Sequence, residues 1–292
     1  MAAVRAELHA VNSGGFTVQR FPSRASAADA VRNRQVAAAY IGTSASSPEL
    51  YVARAASSIR ANYLETVFTQ IAAATTASPP QLIDLVPLLP GDSGTAVFFY
   101  VFPVMMVAVI TVLVLLQKAP TWSIERRMAT VAAIGVLGAS TAYVTAVNLK
   151  VLPNDLELLA CAFCLNQVVG QMAVGLAPIL KQYFLPVVMT WILVLSVPSA
   201  GATMVSDVIP TGLRYMSDVL PLAQAISIVR SVAYFGGAQT LGPWLEMLVW
   251  GILALMVLGV ARSRMHRSAG VSASSATSIP SSELVTGAGT LR

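Results

Sequence analysis

The sequence predicts a mainly α protein: a polytopic α-helical membrane bundle of about five spans plus an interfacial or re-entrant helical segment. A small N-terminal extracytoplasmic α+β domain of β-α-β-β-α order stands before it. Three observations predict this. Beyond residue 95 the chain carries five apolar stretches near the ~20 residues that a helix needs to cross a hydrocarbon core. Only 11% of residues are charged and 56% are hydrophobic, where soluble domains carry about 25% charge; the mean hydropathy is +0.71. The charge is also unevenly placed. Residues 1–95 hold seven Arg and six Asp or Glu, a soluble density, and the later chain has long stretches with none.

The N-terminal elements come from local pattern. Phe16 to Phe21 (FTVQRF) alternates as a short strand, and Ser26 to Arg34 joins an N-cap-like serine to helix formers. Val36 to Ile41 and Leu50 to Ala55 read as two strands around a Gly-Thr-Ser loop. Ser57 to about Ala74 is helical, with Ile59, Tyr63, Val67 and Ile71 as its apolar stripe. So short a domain has a modest core and is expected to pack on the membrane domain or a partner. Residues 78–95 form a Pro-rich connector, which sets the domain boundaries at 1–95, 96–267 and a tail at 268–292. The tail is rich in Ser, Ala, Thr and Gly without periodicity, and is expected to be disordered.

The five spans are Ala96 to Leu116, Met128 to Leu149, Leu156 to Leu180, Tyr183 to about Ser199, and Pro243 to Ala261. Lys and Arg in the short loops set the orientation. Lys118, Arg126, Arg127, Lys181, Arg262, Arg264 and Arg267 fall on one side, and Lys150, Arg214 and Arg230 on the other. The seven-residue side should be cytoplasmic, which places the chain in the plasma membrane with its N-terminal domain outside and its C-terminus inside. Residues 1–30 hold no apolar signal segment, so a further helix upstream is expected to deliver the domain. The net charge of +5 belongs to these flanking residues. It forms no stripe interleaved with aromatics, so no nucleic-acid partner is expected and membrane lipids are.

Chemistry is sparse. Asn166, Gln167 and Gln171 lie inside the third span, with Gln167 and Gln171 on a face shared with Cys164, Gly175 and Pro178. Amides in hydrocarbon need partners; they are either interhelical hydrogen-bond glue or a polar stripe lining a substrate path. Thr141, Thr145 and Asn148 make a similar stripe in the second span near Gly135 and Gly138, read as packing. Val208 to Gly237 is too short and interrupted to span. Within it Pro221 and Arg230 are candidates for an outer gate, or Arg230 snorkels to headgroups. Cys161 and Cys164 have no second ligand pair, so neither a metal nor any other cofactor is expected. No GxxxxGK[ST] motif occurs, and neither His lies in a span. The chain is therefore expected not to be an enzyme.

Ser26 to Ile41 (SAADAVRNRQVAAAYI), Asp84 to Gly94 (DLVPLLPGDSG) and Leu220-Pro221 followed by Arg230 carry a resemblance. The chain resembles the permease subunits of type-2 ABC exporters, in the branch that includes the phage infection protein, over about residues 12–262. It departs from them in lacking their first span. The resemblance implies outward movement of a lipid, peptide or drug-like substrate, driven by a separate ATP-binding subunit, in a homo- or heterodimer of permeases. The loop with Lys118, Glu125, Arg126 and Arg127 would then be a contact surface for that subunit. The alternative is a non-transporting envelope protein, a scaffold or receptor that displays its outer domain.

Overall fold

The computed structural model describes Leu8 and residues 16–43, 46–75, 79–199 and 219–276. The N-terminal part contains α1 (Arg24–Arg32), β1 (Ala38–Thr43), β2 (Ser46–Val52), α2 (Ser58–Thr75) and β3 (Gln81–Asp84). Ser23 caps α1: its hydroxyl accepts from the Ser26 N–H, and the Ser26 side chain returns to the Ser23 N–H. The sheet order is β1-β2-β3. β1 pairs antiparallel with β2 (Tyr40 opposite Leu50) and β3 pairs parallel with β2 (Tyr51 opposite Ile83). A parallel pair needs a crossover, and α2 supplies it.

Two expectations for this domain are corrected. Phe16 to Phe21 forms no strand. Its alternation marks a chain half-buried on one side: Phe16 stacks on Tyr63 at 6.4 Å between ring centroids, and Val18 packs on the core of Leu50, Leu64, Val67 and Ile71. The Pro-rich connector, for which no strand was expected, contains β3. The stripe on α2 holds at Val67 and Ile71, which are buried, while Ile59 is exposed and Leu64 and Phe68 join the buried face.

The membrane-like part contains α3 (Ala96–Lys118), α4 (Ile124–Asn148) and α5 (Leu156–Leu180). After a 3-10 turn at Lys181–Tyr183 come α6 (Phe184–Met189), a π-helical stretch Thr190–Ser196, α7 (Pro221–Phe235) and α8 (Leu241–Ala276). Four helical runs are long and apolar enough to cross a membrane: Ala96–Lys118, Ile124–Asn148, Leu156–Ser196 and Leu241–Arg264. Their outward faces are apolar, with Phe99, Ile110, Leu137, Val144, Leu248 and Leu255 all more than half exposed. That is the inverse of a water-facing surface. α8 runs on to Ala276, so the first residues assigned to the tail are helical; residues 277–292 lie outside the described part.

α5 is the central helix and packs on α3, α4, α7 and α8. It runs parallel to α8, since Trp244 meets Glu157 near the start of both and Gly175 lies against Val257 near the ends. It runs antiparallel to α4, where Gln167 reaches Val131 and Gln171 reaches Met128.

The run Leu156–Ser196 folds back at Lys181, whose φ is +50°. A straight helix would separate residues 168 and 191 by about 34 Å. Yet Trp191 packs on Trp250 at 5.9 Å, and Val168 lies beside the adjoining Gly251. The tight turn expected at Lys181 is therefore present.

α7 is short, about 22 Å long at 1.5 Å per residue, and it is buried in the bundle: Leu222, Ala225, Ile228 and Val229 are inaccessible. Trp250 donates to the Val219 carbonyl at 2.6 Å, so the helix begins at mid-bundle depth. Pro221 occupies its first turn, where a missing N–H costs nothing. It ends at Gly236 and Gly237, both at positive φ; the Gly237 N–H returns to the Ser231 carbonyl at 3.0 Å. Residues 208–218 of the segment singled out above, Arg214 among them, lie outside the described part.

Candidate functional site

Two polar constellations stand out, one inside the bundle and one at its junction with the N-terminal domain. The first is an amide ladder. Asn166, fully buried, donates through Nδ2 to the Val104 carbonyl of α3 at 2.9 Å. Its Oδ1 accepts from Gln167 Nε2 at 3.2 Å. Gln167 Oε1 accepts from Gln171 Nε2 at 2.9 Å, and the same Nε2 lies 3.3 Å from the Met128 carbonyl of α4. Three consecutive amides thus tie α5 to both neighbours, the interhelical arrangement weighed from sequence.

Gly135 of α4 makes room for them: a Cβ there would fall 2.3 Å from Asn166 Oδ1 and 2.5 Å from Gln167 Nε2. The expected shared face is broken at Gly175, which packs on α8 instead. Each i+4 step drifts about 40° around a 3.6-residue helix, and two steps suffice to change neighbours. Thr141, Thr145 and Asn148 are exposed on the outer side of α4. The packing expected of them is carried by Gly135, Ala139 and Ala146, which are buried.

The second constellation brings together residues far apart in sequence. Arg34, just past α1, reaches α7: its Nη1 donates to Ser231 Oγ and lies 3.4 Å from the Ser227 carbonyl, and its Nη2 lies 3.4 Å from Ser227 Oγ. The guanidinium also covers the Phe235 ring at 5.5 Å, a cation–π geometry. Burial, and then the neighbouring Arg60 charge, hold the Arg34 pKa below its ordinary value.

On the same face of α7, Tyr234 donates to Asp92 Oδ2. Asp92 Oδ1 caps the start of α3 by accepting from the Gly94 N–H at 2.7 Å and the Ala96 N–H at 3.0 Å. Gly94, at φ +93°, lies against Ser58 at the start of α2, where a Cβ would come within 2.5 Å of Ser58 Oγ. The N-terminal domain is thereby seated on α7 and on the entrance to α3. Gln239 adds a bond to the Asn33 carbonyl at 2.8 Å.

Pro221 and Arg230 lie about 13 Å apart along the helix axis, and Arg230 shares the junction half of α7 with Ser231 and Tyr234. Arg34 and Asp92 were missed from sequence. No local pattern marks Arg34, because its partner is 197 residues away.

At the opposite end of the bundle, Glu125 pairs with Arg262 at 3.3 Å. Arg127 folds back to donate to the Pro120 carbonyl at 2.7 Å. Lys118 and Arg126 are exposed. Because α5 and α8 are parallel, Lys181 lies at this end as well. Cys161 and Cys164 are free thiols, the first buried with its Sγ 3.7 Å from the Ala225 carbonyl. Among the described residues no three His, Cys, Asp or Glu side chains come together as metal ligands.

No family model, curated protein or solved structure matches this chain.

Proposed function

We propose that the chain is a membrane-spanning permease subunit of an ABC-type exporter that moves a lipid, peptide or drug-like substrate outward with a separate ATPase subunit. On this reading the bundle crosses the membrane five times, with Leu156–Ser196 counted as two legs, and α7 is a re-entrant helix. The N-terminal domain lies outside and the basic end inside. The observation that carries the reading is α7: a helix too short to cross, sunk to mid-depth, with its outer end gripped by the soluble domain through Arg34 and Asp92. Such a device connects an outer domain to the bundle interior. The exposed Lys118 and Arg126 at the other end offer a basic surface to a cytoplasmic partner, and the chain has no P-loop of its own.

The test is recovery of a P-loop ATPase with the tagged full chain from native membranes. Recovery should fall about 10-fold when Lys118→Glu and Arg126→Glu are combined, the scale of a charge-steered contact. If no nucleotide-binding protein is recovered and deletion leaves efflux unchanged, the transporter reading is wrong.

A second reading, a non-transporting envelope protein that displays its outer domain, is favoured by the amide ladder. The three amides are bonded to helix carbonyls or to one another, which suits a closed scaffold.

A further inference from the structure

α4 turns a different kind of surface outward from the other long helices. Its buried side, with Val131, Gly135, Ala139 and Ala146, packs against α3 and α5. Away from that side Ile134, Leu137, Thr141, Val144 and Asn148 are exposed. Their spacing alternates between three and four residues, which at 3.6 residues per turn confines them to a stripe about 80° wide. α3 and α8 expose stripes too, but between the helix ends these are apolar: Phe99, Ile110 and Val114 on α3, and Leu248, Ile252 and Leu255 on α8. The α4 stripe instead carries a hydroxyl and an amide, with a second hydroxyl, Thr145, beside it.

These groups find no partner within their own chain. Among the described residues Thr141, Thr145 and Asn148 make no side-chain hydrogen bond. A helical threonine often returns its hydroxyl to the carbonyl four residues earlier. Thr111 does so to Val107 at 2.7 Å and Thr130 to Arg126 at 2.9 Å, whereas Thr141 and Thr145 do not. Their depth makes this costly. α4 is among the helices long and apolar enough to cross a membrane. Thr141 lies five residues beyond Val136, the middle of α4, which is about 8 Å along the axis. That is inside a hydrocarbon core ~30 Å thick, where lipid tails offer a hydroxyl nothing to bond.

The stripe also indicates what would satisfy it. A three-four spacing is that of two helices wound in a left-handed pair. Two copies of one membrane protein inserted the same way present α4 in parallel, and a two-fold pairing sets each stripe residue opposite its own counterpart. A hydroxyl and a carboxamide each hold both a donor and an acceptor. Thr141 against Thr141 and Asn148 against Asn148 are therefore self-complementary, and a buried Asn in such a seam favours the parallel, in-register pair. Ile134, Leu137 and Val144 supply the apolar packing between them.

We propose that the outer stripe of α4, formed by Ile134, Leu137, Thr141, Val144 and Asn148, is a docking surface for a second copy of this chain, engaged through the same stripe. The pairing does not rest on the transport reading, because it concerns how the chain associates and not what it moves.

The experiment has two arms and uses the full chain. The first is oxidative cross-linking in native membranes, with Cys161→Ala and Cys164→Ala as background. Leu137→Cys and Val144→Cys should each yield a species of twice the chain's mass. Val136→Cys, exposed on α4 but off the stripe, and Leu255→Cys on α8 should not. The second arm measures association of the purified, fluorophore-labelled chain in micelles by energy transfer. Thr141→Val, which keeps the shape and removes the hydroxyl, should weaken association about 3- to 15-fold, the range for one interhelical hydrogen bond in a membrane. Thr141→Ser, which keeps the hydroxyl, should weaken it less. Residue 141 is exposed, so neither change disturbs the fold of the single chain. The proposal is overturned if the chain is monomeric in both arms, the threonines then turning to their own backbone. It is overturned equally if the stripe cysteines capture a chain of another mass, if Leu255→Cys cross-links as readily as they do, or if Thr141→Val associates as tightly as the unaltered chain.

Discussion

Replacing Gly135 by alanine tests whether the amide ladder is a structural tie between α3, α4 and α5. The added methyl would meet Asn166 Oδ1 at 2.3 Å and Gln167 Nε2 at 2.5 Å, about 1 Å inside ordinary van der Waals contact. Both atoms are side-chain ends, so the amides give way before the backbone does. The 3.2 Å bond between them is then broken, and the 2.9 Å bond from Asn166 to the Val104 carbonyl is strained. Interhelical bonds in membranes contribute about 0.6 kcal/mol on average and up to about 1.7. With crowding added, the cost is about 2–3 kcal/mol. Alanine returns up to about 1 kcal/mol of helix propensity over glycine, so the net loss should be about 1–2 kcal/mol.

The assay is reversible unfolding of the purified chain in mixed micelles, read by far-UV circular dichroism and tryptophan fluorescence. The decisive comparison is a cycle. In an Asn166→Ala/Gln167→Ala background the methyl has nothing to displace, and the same substitution should become neutral or stabilising by up to about 1 kcal/mol. A change of sign is hard to obtain by accident. An equal loss in both backgrounds would show that Gly135 is needed for some other contact and that the ladder contributes nothing to the cost.

Other expectations are simpler to state. Gly170→Leu should destabilise more than Gly135→Ala, since even a Cβ at residue 170 lies 2.4 Å from Val131 Cγ1; trypsin sensitivity of the chain in membranes should rise. Gly236→Val should cost about 1–2 kcal/mol in the same unfolding assay, because a β-branched residue is strained at φ +57°. Arg262→Gln should change stability by less than about 1 kcal/mol, as its pair with Glu125 is exposed on both sides; a larger loss would mean that the pair is shielded by a partner. A single cysteine at Ser47, in a chain with Cys161 and Cys164 replaced by alanine, should react with an impermeant reagent in intact cells. A cysteine at Arg126 should be protected, and the reverse pattern would invert the topology.

Much of the bundle was legible because hydrocarbon imposes a length. The predicted Leu156 to Leu180 is α5 itself, and Ala96 opens α3 as expected. The amides were legible for a related reason: polar side chains inside an apolar window need partners, and each of the three donates a bond, though Gln171 Oε1 is buried without one. What sequence could not supply was direction around the helix. Thr141 and Thr145 share a stripe on paper yet face outward, because which side of α4 meets α5 is decided by Gly135 and the bulk of Val131, both tertiary facts. The short β3 was hidden for a different reason. Four residues in a Pro-rich run carry no period, and only the parallel neighbour β2 makes them a strand. The arginine junction is the extreme case, since Arg34 and Ser231 are ordinary residues until the chain folds.

The two ends of the bundle are tied in unequal ways. At the end beside the N-terminal domain Tyr100 bonds the Leu158 carbonyl, Trp244 bonds Glu157, and Tyr234 bonds Asp92. These part-buried bonds link α3, α5, α7 and α8 where water competes poorly. Below them the amide ladder ties α3 and α4 to α5. At the basic end Glu125 and Arg262 join α4 and α8 through an exposed pair, a contact worth about 0–1 kcal/mol. The bonds beside the N-terminal domain are therefore the more shielded of the two sets. α7 is the short element that runs from those shielded contacts to mid-depth.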